Sequence, residues 1–459
     1  MLRGSGIDLM KSAPAGRAII QLALPMMVAM LAQSIHSMTD IFFIGQTGNP
    51  DMLAAVSLAF PLFMLSQALG NIFAVGGSSY ISRLLGANKI ERARHTSAVS
   101  LYTVFGLGVI LAAVLFCIKT PMIWLIGASD ATFSHTSDYF SVLILFVAFA
   151  AASVAMSGKM RSEGAADKAL ILQLIGIVTN VILSPILILG FGMGTQGAAW
   201  ATGTGQMVSF GYGVYYFLSK KTVLSIRLGD WKPDMKMMLQ VLSVGLPSGL
   251  SIIIMSASNV LGNRVLAGYG EHVIAGNGVQ MRISSMFFMM VLALVQGYQP
   301  FAGYNYGAGQ LSRVSKGFKV TLIYSFGLCL AGTIALRLLG EDIIRLFIND
   351  EPTIEAGVAI MKIFVLGLPF IGPQMTLMVS FQALGKPVQA MIITMGRQLL
   401  FYIPLLYLLS YQFGFEGLVW AQPGADMLTT GISVMLGLSL IRIMRKDGKS
   451  NSNWKEKNI

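Results

Sequence analysis

The chain has 459 residues, of which 55% are apolar and 11% are charged, whereas soluble globular domains carry about a quarter charged residues. This composition excludes an ordinary soluble protein. The formal net charge of +12 does not indicate a nucleic-acid partner, because such proteins gather basic residues on one solvent-facing surface and here they are divided among short segments.

The polar, basic N-terminus is followed by an apolar run from Ala18 to Ile44. This run is too long for the core of a signal peptide, and about 20 apolar residues suffice for a helix to cross a bilayer. Breaks rich in polar residues, Gly and Pro divide the rest of the chain into further spans. Twelve membrane helices are predicted, with centres near residues 30, 68, 108, 148, 180, 208, 254, 288, 330, 372, 400 and 430.

Most of the 32 Lys and Arg residues lie in alternate segments of this arrangement. With a cytoplasmic N-terminus, those segments are the two tails and the loops around residues 83–95, 159–168, 219–236, 310–319 and 385–389. The positive-inside rule therefore predicts that both termini are cytoplasmic.

The two halves of the chain repeat each other at a shift of 220 to 222 residues. Pro25 falls on Pro247, and three further positions keep the register: Gly164 on Gly385, Gly197 on Gly417 and Trp200 on Trp420. We expect an all-α polytopic membrane protein of two six-helix lobes, related by a pseudo-two-fold axis along the membrane normal. The predicted divisions are an N-lobe (1–219), a cytoplasmic linker (220–236) and a C-lobe (237–459) with a basic tail.

The sequence lacks the motifs that would indicate ATP hydrolysis, enzymatic catalysis or a cysteine-based site. The chain has no Walker-type loop for ATP, and four scattered His without an HExxH or GxSxG motif do not indicate an enzyme. Cys117 and Cys329 lie in apolar runs, so we predict two core cysteines rather than a disulfide or a metal site. No cofactor is expected, and an ion gradient remains as the energy source.

Polar residues within the predicted helices are the candidates for function, because a charge in the hydrocarbon is costly. Asp40 of the first helix leads. Helical rise places Asn180, Ser184 and Thr202 of the fifth and sixth helices at a similar depth. Since burial disfavours the charged form of a carboxyl group, Asp40 can take up a proton. The alternative is an Asp that only caps its helix or hydrogen-bonds within the bundle.

Weaker candidates could contact substrate. Gln33, His36 and Gln67 could line the same chamber, although polar side chains between helices are also ordinary packing groups. Asp426 of the last helix is either a substrate or second proton site, or the partner of Arg397 in a buried ion pair.

Several stretches resemble the multidrug and toxic compound extrusion (MATE) family over nearly the whole chain. They are Asp40, Phe43, Ile44 and Gly45 followed by Leu53 to Ser57; the run from Gln299 to Ala308; and the run from Trp420 to Asp426, which is similar to the DinF-like/MepA-like branch.

This resemblance implies an antiporter that exports organic cations in exchange for protons or sodium by alternating access. In family members coupled through the N-lobe, an Asp on the first helix, an Asn and often a second Asp on the fifth, and a Thr on the sixth form the cation site. Asp40, Asn180 and Thr202 match, so sodium could bind there. Ser184 replaces the second acid, which favours protons. Neither the seventh helix, around Met255, nor the tenth, around Gln374, contains an acid, so we expect the C-lobe cation site of the NorM-like branch to be absent.

The resemblance leaves one alternative, a flippase for lipid-linked oligosaccharides of the same fold. Flippases of this kind build a strongly cationic cavity, for which the membrane helices offer only Arg264, Arg282 and Arg397. We expect a monomer in the prokaryotic cytoplasmic (inner) membrane, in contact with lipid and with small organic cations as substrates.

Overall fold

The computed structural model describes residues 5–219 and 221–446. Lys220 of the predicted linker and the predicted basic tail from residue 447 onward lie outside the described residues. So do the side chains of Ser5, Ile35, Ser37, Met38, Asp40 and residues 441–446. Within the described ranges every regular element is a helix.

The first part of the chain forms ten α-helices, and a π-helical turn, Ile186–Gly190, follows the ninth. They are α1 (Ser5–Ser12), α2 (Ala15–Gly45), α3 (Pro50–Leu58), α4 (Phe60–Gly86), α5 (Ile90–Cys117), α6 (Lys119–Leu125), α7 (Asp130–Leu145), α8 (Val147–Ser162), α9 (Ala166–Pro185) and α10 (Gly194–Leu218).

The second part forms seven α-helices, and a second π-helical segment, Gly396–Tyr402, separates the last two. They are α11 (Met235–Leu266), α12 (Glu271–Gly307), α13 (Leu311–Phe347), α14 (Glu351–Phe364), α15 (Leu368–Ala383), α16 (Pro387–Met395) and α17 (Ile403–Lys446).

All twelve predicted centres fall in helical segments. Among the described residues, eight helices are long and apolar enough to cross a membrane, or ten if the bent pairs α7–α8 and α14–α15 each form one span. The count stays below twelve partly because the last two predicted spans form one helical run, Pro387–Leu440. Within that run Gly414 leaves helical geometry, with φ 60° and ψ −136°.

Contacts divide the chain into two compact units. Among the described residues, unit 1 contains α1 and residues 28–249, and unit 2 contains residues 13–27 and those from Leu250 on. The start of α2 therefore packs in unit 2 and the start of α11 in unit 1. The predicted lobes, 1–219 and 237–459, were defined by the sequence repeat and not by contacts. That these lobes move as separate bodies stays a prediction.

Small residues allow the helices of unit 1 to approach closely, as is common where helices associate in lipid. A Cβ atom added to Gly158 of α8 would lie 2.6 Å from Cα of Ala74 on α4. One added to Gly108 of α5 would lie 2.6 Å from Cα of Ala148 on α8. Any larger side chain at these glycines would force the helices apart.

The predicted linker packs on unit 1. Arg94 Nε donates to the carbonyl oxygen of Val223 at 3.0 Å, and the Tyr102 hydroxyl donates to that of Ile226 at 2.7 Å. The ring of Trp231 meets Tyr102 edge-on, with centroids 6.3 Å apart. Helix α5 thus holds the linker along its N-terminal half.

Unit 2 has a comparable anchor in the motif from Gln299 to Ala308. Arg313 Nε donates to Asn305 Oδ1 at 2.9 Å, and Arg313 Nη2 donates to the carbonyl oxygen of Ala13 at 2.8 Å. The guanidinium also lies 5.4 Å from the ring centre of Phe301. The motif therefore fixes the segment that begins α2.

The prediction of two core cysteines is correct for Cys329, which is buried, and wrong for Cys117, which is exposed. An apolar run in a membrane protein marks lipid-facing and core positions alike, because lipid is as apolar as the core. Hydropathy alone could not separate the two.

Candidate functional site

The crossing of α9 and α10 is set by glycines. A Cβ atom added to Gly176 would overlap Ser209 Oγ and lie 3.0 Å from the carbonyl oxygen of Gly205. One added to Gly205 would lie 2.6 Å from the carbonyl oxygen of Gly176. Ser209 Oγ donates to the carbonyl oxygen of Leu172 at 2.9 Å. The two backbones are therefore nearly in contact one turn before Asn180.

This crossing brings two of the predicted site residues together. Asn180 Nδ2 donates to Thr202 Oγ1 at 2.9 Å. Asn180, Ser184 and Thr202 are 1%, 0% and 5% exposed, so they form a buried polar group in unit 1. Ser184 lies one turn beyond Asn180 on the same face of α9.

The helix changes form directly after these residues. Pro185 ends α9, and the π-helical turn Ile186–Gly190 follows. Helix α10 packs against this turn through Gly197, where an added Cβ would lie 2.9 Å from the carbonyl oxygen of Leu187. Proline cannot donate a helical hydrogen bond, and π-turns often occur at functional sites. The backbone is thus irregular next to Ser184.

A small pocket adjoins Thr202 on the side of the bend between α7 and α8. Phe146, the residue at that 52° bend, lies over Gly203 so closely that an added Cβ would overlap the ring. Most of the lining is apolar, and Ser66, Thr202 and Gln206 supply polar groups. The full lining is Leu62, Phe63, Ser66, Leu143, Phe146, Val147, Ala150, Thr202, Gly203 and Gln206. Thr202, a member of the buried polar group, therefore borders a small and mostly apolar space.

The other candidates of the N-lobe also belong to unit 1. Asp40 lies in helix α2, but its side chain is outside the described part of the structure. His36, one turn earlier, is buried, and its Nδ1 has no hydrogen-bond partner among the described residues. Gln33 on α2 and Gln67 on α4 are half-buried. The structure thus leaves the contacts of Asp40 as a prediction.

Asp426 belongs to unit 2. Arg397 Nε donates to Asp426 Oδ1 at 2.6 Å, and Gln422 Nε2 donates to the same oxygen at 3.3 Å. Asp426 therefore forms a buried ion pair with Arg397, and its predicted role as a substrate or second proton site stays a prediction.

Sequence reasoning did not single out Glu163, the buried acid between α8 and α9. Its carboxylate accepts hydrogen bonds from the Tyr216 hydroxyl at 2.6 Å, from the Thr222 hydroxyl at 2.9 Å and from the amide of Val223 at 3.0 Å. Burial raises the pKa of Glu163, and these hydrogen bonds only partly oppose the rise. The sequence offered one signal, an acid directly before a glycine, Gly164. The structure explains the glycine, because its φ is 81°.

The predicted loop at residues 159–168 is shorter than expected, because α8 continues to Ser162. Lys159 and Arg161 are consequently buried in its last turn rather than exposed in a loop. Arg161 Nη1 donates to Ser157 Oγ at 3.0 Å, whereas Lys159 Nζ has no hydrogen-bond partner among the described residues.

Comparison with known proteins agrees with this architecture. The MatE family model matches twice, at residues 25–186 and 247–408. The two matches begin 222 residues apart, so they confirm the internal repeat. The Multidrug export protein MepA of Staphylococcus aureus is 30% identical over 436 residues, which cover 94% of this chain and 95% of that protein. MepA of Staphylococcus saprophyticus is 29% identical over 430 residues, 93% of this chain and 94% of that protein.

Solved structures have the same fold. A MATE protein in the bent conformation superposes with a TM-score of 0.92 at 25% identity, covering 97% of this chain and 100% of that one. A MOP superfamily transporter from Pyrococcus furiosus gives a TM-score of 0.91 at 25% identity, covering 96% and 99%. Family model, relatives and fold agree over nearly the whole length, and the chain therefore belongs to the MATE family of membrane transporters.

Proposed function

We propose that this MATE-family chain exports small organic cations across a prokaryotic cytoplasmic membrane in exchange for protons or sodium. Both termini would lie in the cytoplasm, and the two lobes would alternate access to the site. The relatives named as multidrug export proteins support the substrate class. The single observation that carries the proposal is the buried Asn180–Thr202 pair on α9 and α10.

The proposed coupling site consists of Asp40, Asn180, Ser184 and Thr202. A carboxylate in a site that excludes water holds a cation strongly, because little solvent screens the attraction. Ionised Asp40 would bind an organic cation, and protonated Asp40 would release it. Asn180 and Thr202 would position the carboxylate or a coupling ion through their amide and hydroxyl groups, which stay neutral when Asp40 gains or loses its proton. Gln33, His36 and Gln67 are the proposed neighbours of the substrate.

The number of acids in the proposed site supports one choice of coupling ion. An ionised carboxylate compensates the charge of a bound sodium ion, whereas a hydroxyl contributes only a dipole. Ser184 contributes a neutral hydroxyl where a second carboxylate would serve sodium better, so we favour the proton.

The test is transport in proteoliposomes with proton and sodium gradients imposed separately. We expect ethidium to move against its gradient when protons are supplied on the opposite side, and Asp40→Asn to abolish that movement. Glu91→Gln, an exposed acid at the start of α5, is the control and should transport normally. Unchanged transport by Asp40→Asn under both gradients would remove Asp40 from the mechanism. Movement of a lipid-linked oligosaccharide without movement of ethidium would establish the flippase instead.

A further inference from the structure

The ion pair of Arg397 and Asp426 is the most deeply buried pair of opposite charges among the described residues. The distance between Arg397 Nε and Asp426 Oδ1 is 2.6 Å, and the side chains are 17% and 2% exposed. Removing two charges from water is costly, and such a pair commonly adds little stability over apolar residues of similar size. The pair therefore calls for an explanation other than stability.

The two members differ in how they are held. Asp426 is surrounded: Gln422 also donates to its Oδ1, and a Cβ added to Gly367 would lie 3.1 Å from its Oδ2. Arg397 is more accessible, and its guanidinium lies 5.8 Å from the ring centre of Phe288. Arg397 is thus the member that can leave, and the carboxylate is the member that stays.

The backbone at Arg397 is suited to such movement. Arg397 lies in the first turn of the π-helical segment Gly396–Tyr402. A π-helix is a rare and less stable form of the helix, and it is frequent at functional sites.

The repeat shows that the shared scaffold does not need this pair. At the shift that aligns Gly164 with Gly385, Arg397 corresponds to Gly176. At the shift that aligns Trp200 with Trp420, Asp426 corresponds to Gln206. A pair required by the six-helix fold would have a counterpart in both halves, whereas the first half has no charge at either position.

We propose that Arg397 is a specificity-determining residue, a tethered cation that occupies Asp426 and thereby prevents unit 2 from binding organic cations. A carboxylate and an aromatic ring that contact the same cation, as Asp426 and Phe288 contact the Arg397 guanidinium, are the chemistry that recognises an organic cation. In the wild-type chain the guanidinium takes that place. The inference depends on the proposed function in one respect, since it assumes that the substrate is a cation.

The experiment measures ethidium binding to the purified full-length protein in lipid nanodiscs, by fluorescence, in an Asp40→Asn background that silences the proposed N-lobe site. We expect Arg397→Gln to increase the affinity at least about tenfold over Asp40→Asn alone, the difference that 1.4 kcal/mol produces. Adding Asp426→Asn should abolish the increase, and Arg397→Lys, which retains the charge, should produce much less of it. No increase with Arg397→Gln, or an equal increase with Arg397→Lys, would overturn the proposal.

A second measurement does not depend on the folding of the arginine variants. Asp426→Asn in the otherwise wild-type chain should leave the affinity for ethidium unchanged, because Arg397 and not ethidium occupies Asp426. A fall as large as that caused by Asp40→Asn would show that Asp426 binds substrate directly, and it would refute the tethered cation. Failure of the proposed N-lobe site is seen separately, as normal binding by Asp40→Asn itself.

Discussion

Asn180 on α9 donates a hydrogen bond from its side-chain amide nitrogen, Nδ2, to the hydroxyl oxygen of Thr202 on α10, at 2.9 Å. Both side chains are buried, so neither can exchange its partner for bulk water. This hydrogen bond links two helices of the proposed coupling site. A substitution at Thr202 that removes or keeps the hydroxyl oxygen tests its role.

Thr202→Val removes the accepting oxygen and preserves the shape of the side chain. A buried donor without its partner costs about 1–3 kcal/mol, so we expect a lower melting temperature and proton-driven ethidium transport reduced by about tenfold or more. Thr202→Ser retains the hydroxyl and should transport nearly as the wild type does. Equal transport by Thr202→Val and Thr202→Ser would show that the hydroxyl has no role in coupling.

Gly176→Ala tests the crossing that positions Asn180. The added Cβ would overlap Ser209 Oγ, and overpacking of this kind typically costs about 1–3 kcal/mol. We expect reduced thermal stability together with reduced transport, because α9 must move away from α10. Gly211→Ala on α10 is the matched control: nothing lies within 4 Å of its Cβ position. Alanine favours a helix over glycine by about 1 kcal/mol, so this variant should be as stable as the wild type or more stable.

Ser184→Asp tests the choice of coupling ion. It supplies a second carboxylate one turn from Asn180, which should improve charge compensation for sodium. We expect transport to become stimulated by a sodium gradient, measured in the same proteoliposomes. Ser184→Asn has nearly the same size without the charge, and it should respond to protons alone. Sodium stimulation of both variants, or of neither, would contradict the role assigned to the missing acid.

Glu163→Gln tests the attachment of the linker. Burial raises the pKa of Glu163. A carboxyl group whose pKa is higher in the docked state favours docking below its ordinary pKa and loses that contribution as the pH rises through the raised value. We therefore expect hydrogen exchange at the amides of Val223 and Leu224, corrected for the intrinsic rate, to accelerate as the pH rises above the ordinary range of a carboxyl group. Glu163→Gln should show no such dependence. The same pH dependence in that variant would assign it to another group.

Much of the fold could be predicted because its signals are local in the chain. Apolar runs marked helices at all twelve expected centres, and the repeat from Pro25 to Pro247 appears again in the two matches to the family model. The relationship between Asn180 and Thr202 was predicted only as similar depth. Depth along a helix follows from counting residues, but the direction of a side chain around the helix depends on which faces pack.

The fate of acids was harder to predict than their presence. Asp426 allowed two interpretations; its 2.6 Å contact with Arg397 shows the ion pair, and a role in binding stays a prediction. Glu163 was predicted to lie in a cytoplasmic loop, yet it is buried and accepts hydrogen bonds from the Tyr216 and Thr222 hydroxyls. In both cases the decisive partners lie 29 or more positions away in the chain.

By itself the sequence determined that this protein is an all-helical membrane transporter built from two copies of one sequence repeat. Hydropathy, glycine and proline breaks and family motifs were sufficient, because each depends only on neighbours along the chain. Only the tertiary structure decided that Asn180 bonds to Thr202, that Glu163 holds the linker and that Arg397 covers Asp426. Each of these depends on the rotation and separation of packed helices, which are set where glycines such as Gly176 and Gly205 meet across the bundle.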